Sequence, residues 1–276
     1  MKKNLTNDCH AKGTRPFSYA CAAEATKVYF FEARVILLLL LFTLELFASS
    51  YEWRVSANKE KAYVNEAIYL SFVCEFSDEA QFYAVEFNPA LKDENLSIEI
   101  LSERSKIENG KKILIYEFVA FVHSAGRKEF ALEAVMKKTT KESIENTVIG
   151  RDNGKYVEYQ NTRVALQAIK VDVLESNATL VGEFSLNIRS DTPKVKAFTP
   201  YHLEVKLEGV GNLNRLAPLA FKIEGVKVFS EEPVKKLTLT KSGYSGSWSQ
   251  KFAFVSERDF VLQSFAIDYF DLQTQQ

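Results

Sequence analysis

The sequence is poor in cysteine, proline and glycine, and its charges almost cancel. It has 3 Cys, 6 Pro and 11 Gly in 276 residues, and 35 Lys plus Arg face 36 Asp plus Glu. So little proline and glycine excludes a collagen-like or low-complexity chain. A net charge of -1 provides no basic field for nucleic acid. The hydrophobic fraction of 46% is instead typical of a globular protein with real cores.

One long hydrophobic run lies near the N-terminus. Residues 35–44 read VILLLLLFTL, which is the length of a signal-peptide core and short for a membrane span. Lys27 and Arg34 precede the run, and small residues at 48–50 follow it as a cleavage site. We therefore expect residues 1–50 to be a cleaved signal peptide or an uncleaved N-terminal membrane anchor, with a buried core helix as the remaining alternative. A start of translation later than residue 1 would explain the long lead.

Beyond this segment the chain has a single cysteine, Cys74, which excludes an internal disulfide. Cys74 lies in the stretch 68–76, IYLSFVCEF, where every second residue from Ile68 to Phe76 is apolar and lies on one strand face. This position predicts a buried small hydrophobic residue rather than a nucleophile or a metal ligand.

Apolar residues recur at every second position along most of the chain after residue 50, which is the period of a β-strand. A short helix at 141–146 and a turn at 152–154 interrupt the pattern. The predicted strands lie at 53–57, 68–76, 82–87, 96–101, 112–123, 130–136, 163–174, 186–188, 201–208, 237–240, 248–254 and 265–269.

Short strands separated by turn residues are typical of immunoglobulin-like β-sandwiches. The stretches 64–70 and 199–205 resemble one early strand in two copies. We therefore predict an all-β fold with two tandem immunoglobulin-like β-sandwich domains, residues 51–176 and 177–276, after the N-terminal hydrophobic signal or anchor helix.

Few residues after position 50 offer catalytic or metal chemistry. His123 lies at a predicted turn, and His202 lies on the wet face of an edge-like strand; neither belongs to a nucleophile motif. Asp268 and Asp271 are too few for a metal site and fit the solvated end of a strand. We predict no catalytic residue, no metal ligand and no cofactor.

The stretch 209–212, GVGN, resembles the beginning of a dinucleotide-binding fingerprint. It lacks the third glycine, and no helical pattern follows it, which argues against nucleotide binding. We interpret Gly209 and Gly211 as part of a turn that needs positive φ at the end of a strand.

A family resemblance is carried by the same region. Residues 207–213 (LEGVGNL), then Leu216 and Pro218, then 225–229 (GVKVF), resemble the signature of the BatD, or oxygen-tolerance, family. The stretches LVGEF at 180–184 and FAIDYFD at 265–271 are also similar, and YVNE at 63–66 resembles the family more loosely.

Two features depart from that family pattern. Residues 257–259 read ERD where the family usually has a Pro-Gly turn. Family members also usually continue into a C-terminal membrane helix, whereas this sequence stops at Gln276. That departure fits either a truncated reading frame or an N-terminal segment that is the sole anchor.

The resemblance implies a non-enzymatic subunit on the periplasmic side of the bacterial inner membrane. It implies a complex with von Willebrand A-domain membrane proteins and a MoxR-type ATPase, acting in aerotolerance and envelope stress resistance. It carries over no catalytic residue. We expect an interaction loop, in which Asn212 holds the backbone by hydrogen bonds, formed by Gly209, Gly211, Asn212, Leu213 and Leu216.

Two other functions are open to such a chain. An exported carbohydrate-binding or adhesin-like module would present exposed aromatic side chains, and Trp53 and Trp248 are candidates, although their alternating runs favour core positions. A hydrolase would need a pocket with convergent titratable groups, which the sequence does not indicate.

Overall fold

The computed structural model describes residues 50–77, 80–87, 94–147, 156–262 and 264–275. The predicted signal or anchor segment, apart from Ser50, and the predicted turn at 152–154 lie outside the described residues. The described chain is almost entirely β. Its strands are β1 (Tyr51–Ala57), β2 (Lys61–Tyr63), β3 (Ala67–Phe76), β4 (Tyr83–Phe87), β5 (Leu96–Glu108), β6 (Lys111–Val122), β7 (Gly126–Phe130), β8 (Glu133–Lys138), β9 (Gln160–Ala165), β10 (Ile169–Leu174), β11 (Leu180–Ser190), β12 (Tyr201–Gly211), β13 (Val226–Ser230), β14 (Val234–Thr240), β15 (Gly243–Ser256) and β16 (Tyr269–Asp271).

Short helical segments complete the described chain. The predicted helix is present as α1 (Lys141–Asn146), and the Thr140 hydroxyl caps it by accepting from the Ser143 N–H. Two 3-10 turns lie at Ala80–Phe82 and Leu213–Arg215.

The first sandwich contains β1 to β10. One layer is the sheet β1-β3-β6-β5, and the other is formed by the sheets β2-β10-β7 and β4-β8-β9. Ile68, Leu70 and Phe72 of β3 pack in one core with Phe130 of β7 and Val171 of β10. Residues 68, 70, 72, 74 and 76 are at most 1% exposed, so the alternation correctly predicted the buried face. Burial raises the pKa of the Cys74 thiol to about 12, which keeps it protonated and unreactive.

The second sandwich contains β11 to β16. Its sheet has the order β13-β15-β12-β11-β16. β14 also pairs with β15, along residues 243–249, whereas β13 pairs with residues 252–256. Trp248 and Phe254 are fully buried on one face of this sheet. Irregular segments at 219–223, 260–262 and 264–267 cover that face as the second layer. The described sheets all lie wholly before or wholly after residue 177, and the fold is that of two immunoglobulin-like β-sandwiches in tandem.

Several predicted elements differ from the observed ones. The stretch 163–174, predicted as one strand, is split into β9 and β10, which belong to different sheets. The stretch 242–246, which separates the predicted strands 237–240 and 248–254, lies mostly in β15, because the chain reverses at Lys241 and Ser242.

Two more corrections concern the second sandwich. β12, predicted as edge-like around His202, pairs with β11 on one side and β15 on the other, and is therefore internal. Phe265 and Ile267, predicted in a strand, pack on the core without strand pairing, and the strand there is Tyr269–Asp271.

Candidate functional site

The residues that the sequence singled out lie at the base of the second sandwich. Gly209 and Gly211 are in β12, opposite Phe184 and Gly182 of β11. Their φ angles are +153° and +150°, so positive φ was correctly predicted. The predicted turn was wrong. A Cβ at Gly209 would lie 2.0 Å from the Glu183 carbonyl oxygen, and the glycines therefore allow a close approach of two backbones.

Asn212 fastens the end of β12 to the start of β11. Its side-chain amide donates to the Thr179 carbonyl at 2.8 Å, and its Oδ1 accepts from the Val181 N–H at 2.8 Å. The side chain is fully buried. The predicted role of Asn212 in holding the backbone is confirmed.

The rest of this segment points into the protein or toward the first sandwich. Leu213 is 0% exposed and Leu216 8%, and both belong to the core of the second sandwich. Arg215 is exposed, and its Nη1 donates to Asn65 Oδ1 at 3.0 Å and lies 2.7 Å from His123 Nδ1. Through Arg215, the segment predicted to be an interaction loop thus contributes to the contact between the sandwiches, which we call the joint.

The hairpin between β14 and β15 forms the apolar part of the joint. The Tyr244 ring stacks on Phe121 at 6.1 Å, and its hydroxyl donates to Glu99. Burial, together with the hydrogen bond to Glu99 and its charge, raises the pKa of Tyr244 to about 12. On the other side of the joint, the rings of Tyr63 and Phe270 lie 4.4 Å apart.

A buried carboxylate lies beside this hairpin. Glu117 of β6 accepts hydrogen bonds from Tyr69 and, at 2.5 Å, from Ser102. Arg104 lies 3.1 Å from it, and Lys241 of the second sandwich 3.4 Å. Burial alone would raise the pKa of Glu117. The hydrogen bonds and cationic neighbours outweigh that effect and lower the pKa to about 2.

The strands fix which ends of the sandwiches are far from the joint. β3 begins at Ala67 in the joint and extends ten residues, about 30 Å, to Phe76 beside Ser50. β11 begins at Leu180 in the joint and extends eleven residues, about 35 Å, to Ser190. The loops at 191–200 and 256–262, which we call the tip, therefore lie at the end of the second sandwich away from the joint.

The tip exposes apolar side chains. Phe198 is 69% exposed, Val261 80% and Val195 36%. Basic Lys194, Lys196 and Arg258 and acidic Asp191, Glu257 and Asp259 surround them, and all six are exposed. The tip is consequently an apolar patch with a charge-balanced rim.

Phe198 is held in a backbone conformation that non-glycine residues rarely adopt, with φ +64°. It occupies the third position of a turn in which the Thr199 N–H donates to the Lys196 carbonyl at 3.1 Å. The Phe198 N–H donates to the Ser256 carbonyl at 2.8 Å, which ties the two tip loops together. Sequence reasoning missed Phe198, although an aromatic residue in the polar stretch DTPKVKAFTP was an available signal.

The second sandwich carries an open groove among its described residues. The groove, of about 680 Å³, lies on the wet face of the second sheet and is lined by residues that include His202, Glu204, Phe229 and Lys251. Within the described ranges, no three His, Cys, Asp or Glu side chains are grouped to hold a metal ion. No helix in those ranges is both long and apolar enough to cross a membrane.

The chain matches no protein-family model and no curated protein sequence. Among solved structures it is similar to FdeC, an Escherichia coli adhesin, with 13% sequence identity and a TM-score of 0.21. The similarity covers 76% of this chain and 57% of the adhesin chain. A likeness this distant carries no information on function.

Proposed function

We propose that this chain is a non-enzymatic, exported protein-binding subunit that presents the tip of its second sandwich to a partner. The observation that carries the proposal is Phe198, which is 69% exposed while held at positive φ. Exposing an apolar ring and straining its backbone both cost free energy, of order 1–3 kcal/mol for the strain alone. Such a combination is typical of recognition loops on a rigid scaffold.

The joint supports this role because it limits how the sandwiches can move relative to one another. It combines a stacked aromatic pair, a buried carboxylate with a cation from the other sandwich, and the Arg215 contact with Asn65. Ser50 lies at the end of the first sandwich away from the joint, and the tip lies at the end of the second sandwich away from the joint.

The partner class comes from the BatD resemblance. We propose a von Willebrand A-domain membrane protein on the periplasmic side of the bacterial inner membrane, in a complex that includes a MoxR-type ATPase and supports aerotolerance. The charge-balanced rim of the tip fits a protein surface better than a highly charged polymer.

The test is recovery of the partner with the full chain from solubilised envelopes. Wild type should recover a von Willebrand A-domain protein, and Phe198→Asn should lose most of it, because asparagine tolerates positive φ but removes the ring. The control is Ile107→Asn, which alters an exposed apolar residue of the first sandwich, 79% exposed against 69% for Phe198. Equal recovery by all three chains would contradict the proposal.

The adhesin-like or carbohydrate-binding module is the second candidate, favoured by the position of the tip at the end opposite Ser50. Neither candidate tryptophan offers an exposed ring for carbohydrate binding, since Trp248 is 0% exposed and Trp53 packs against the core of the first sandwich. Glycan-array binding that Phe198→Asn abolishes would favour this candidate over the first.

A further inference from the structure

β11 leaves most of one edge open. β12 pairs with it along its length, but β16 pairs only with Leu180–Gly182. Residues 183–190 have no strand partner on that side among the described residues. All residues from 185 to 190 are exposed.

The direction of the backbone groups shows which residues can pair at this edge. The Val181 carbonyl faces β12, since it accepts from the Asn212 N–H. The Phe184 carbonyl faces the opposite side, where the Tyr269 hydroxyl lies 3.5 Å away. Because these groups alternate along a strand, Phe184, Leu186 and Ile188 present theirs to the open edge.

The same strand leaves apolar side chains uncovered. Leu186 and Ile188 pair in register with the buried Leu207 and Val205, yet they are 41% and 47% exposed. Edge strands are usually protected by lysines, prolines or bulges. In β11 the charged residues are Glu183 and Arg189. They lie at the two ends of the open edge and leave Leu186 and Ile188 between them without a protecting charge.

We propose that the open edge of β11 pairs antiparallel with the same edge of a second copy of this chain, centred on Leu186. In that register Leu186 faces its own counterpart, and Phe184 faces Ile188 of the second copy. Glu183 faces Arg189 of the second copy, twice by symmetry. A short sequence that matches apolar to apolar and acid to base in its own reversed register is the feature that selects a second copy over an unrelated strand.

The length of the open edge fits this pairing. The ladder would run over residues 183–189, with about six hydrogen bonds from three hydrogen-bonded pairs. In each copy β16 lies on the same edge next to Gly182 and limits the ladder there. In this register Ser190 faces Gly182 of the second copy, beside which the β16 of that copy lies. The chain bends away from the edge after Ser190. The two sheets would then form one continuous sheet, while both tips stay outside the ladder.

A cysteine pair tests the register in the full chain, with Cys9 and Cys21 changed to serine and the buried Cys74 kept. Leu186→Cys should give a disulfide-linked dimer under mild oxidation, since opposed residues of a hydrogen-bonded pair lie about 5.5 Å apart at Cα. Ile188→Cys is the control. Its counterpart is displaced by four residues, about 13 Å, which a disulfide cannot span.

Charge reversal tests the complementarity by sedimentation of the detergent-solubilised full chain. Glu183→Arg should weaken self-association roughly ten-fold, since it sets arginine against arginine twice. The double variant Glu183→Arg, Arg189→Glu should restore it. A chain that stays monomeric at all concentrations would overturn the proposal. So would equal cross-linking by the two cysteine variants, or occupation of this edge by a different protein alone.

Discussion

The ammonium of Lys241, in the second sandwich, lies 3.4 Å from the carboxylate of Glu117, in the centre of a sheet of the first sandwich. The same ammonium lies 4.4 Å from the centre of the Tyr69 ring, whose hydroxyl donates to Glu117. One carboxylate thus connects the outer face of a sheet of one sandwich to a turn of the other, and the protonation of Glu117 should control how tightly the two are held.

The stability of the chain should therefore fall in acid. The pKa of Glu117 is lowered from 4.5 to about 2 on folding, so its stabilisation is complete above pH 4.5 and is lost as the pH falls toward 2. The loss amounts to at most about 3 kcal/mol. Glu117→Gln should lower the free energy of unfolding at pH 7 by about 2 kcal/mol and flatten its dependence on pH between 5 and 2, as measured by urea unfolding.

Glu75→Gln is the control, on the same face of the same sheet. Glu75 pairs with Arg54 at 2.7 Å and Lys111 at 2.9 Å, but its side chain is 19% exposed against 5% for Glu117, and both partners lie within the first sandwich. Its replacement should have a much smaller effect. If both variants retained the pH dependence of wild type, Glu117 would not be its source.

Asn212→Ala should destabilise the chain by about 2–4 kcal/mol, because it leaves the Val181 N–H and the Thr179 carbonyl without partners. Asn214→Ala is the matched control. The Asn214 side-chain oxygen has no hydrogen-bond partner among the described residues, so removing it should change the unfolding free energy by less than about 0.5 kcal/mol. Equal losses in thermal or urea unfolding would refute the fastening role of Asn212.

Two glycines with positive φ should respond differently to alanine. At Gly211 a Cβ would lie 2.2 Å from the Val181 carbonyl oxygen, whereas at Gly110 nothing lies within 4 Å. Gly110→Ala should cost only the backbone strain, about 1 kcal/mol. Gly211→Ala should cost more than about 3 kcal/mol or prevent folding. Similar unfolding midpoints for the two variants would argue against the close approach of β11 and β12.

Phe198→Asn should raise stability while it lowers partner binding. Asparagine is tolerated at φ +64°, so the variant should gain up to about 1 kcal/mol in the free energy of unfolding. Calorimetry of the full chain measures the change. A clear loss of stability would mean that the Phe198 ring serves packing rather than recognition.

The sequence predicted local structure where the periodicity was strict. In β3 every second residue from Ile68 to Phe76 is apolar and buried, and the residues between them are half-buried. Prediction from the sequence failed where the pairing of distant strands decides which sheet a strand joins. Nothing in the stretch 163–174 shows that β9 joins β8 while β10 joins β7, since both partners lie elsewhere in the chain.

The candidate site could be predicted only in part from the sequence, for the same reason. The glycines at 209 and 211 signal positive φ, but a turn and a close approach of strands need the same residue type. The contacts of Arg215 and Lys241 with the first sandwich join residues more than 90 positions apart and have no local signature. The sequence did not predict the role of Phe198, because the exposure of its ring and the strain of its backbone arise from the turn that holds it.

Photo-cross-linking in living cells tests the tip as the binding surface most directly. A photoreactive residue replaces Val261, which is 80% exposed at the tip, or Ile107, which is 79% exposed on the first sandwich. The proposal predicts that a von Willebrand A-domain protein is cross-linked from position 261 and not from position 107. Cross-linking of that protein from 107 alone, or from neither position, would contradict it.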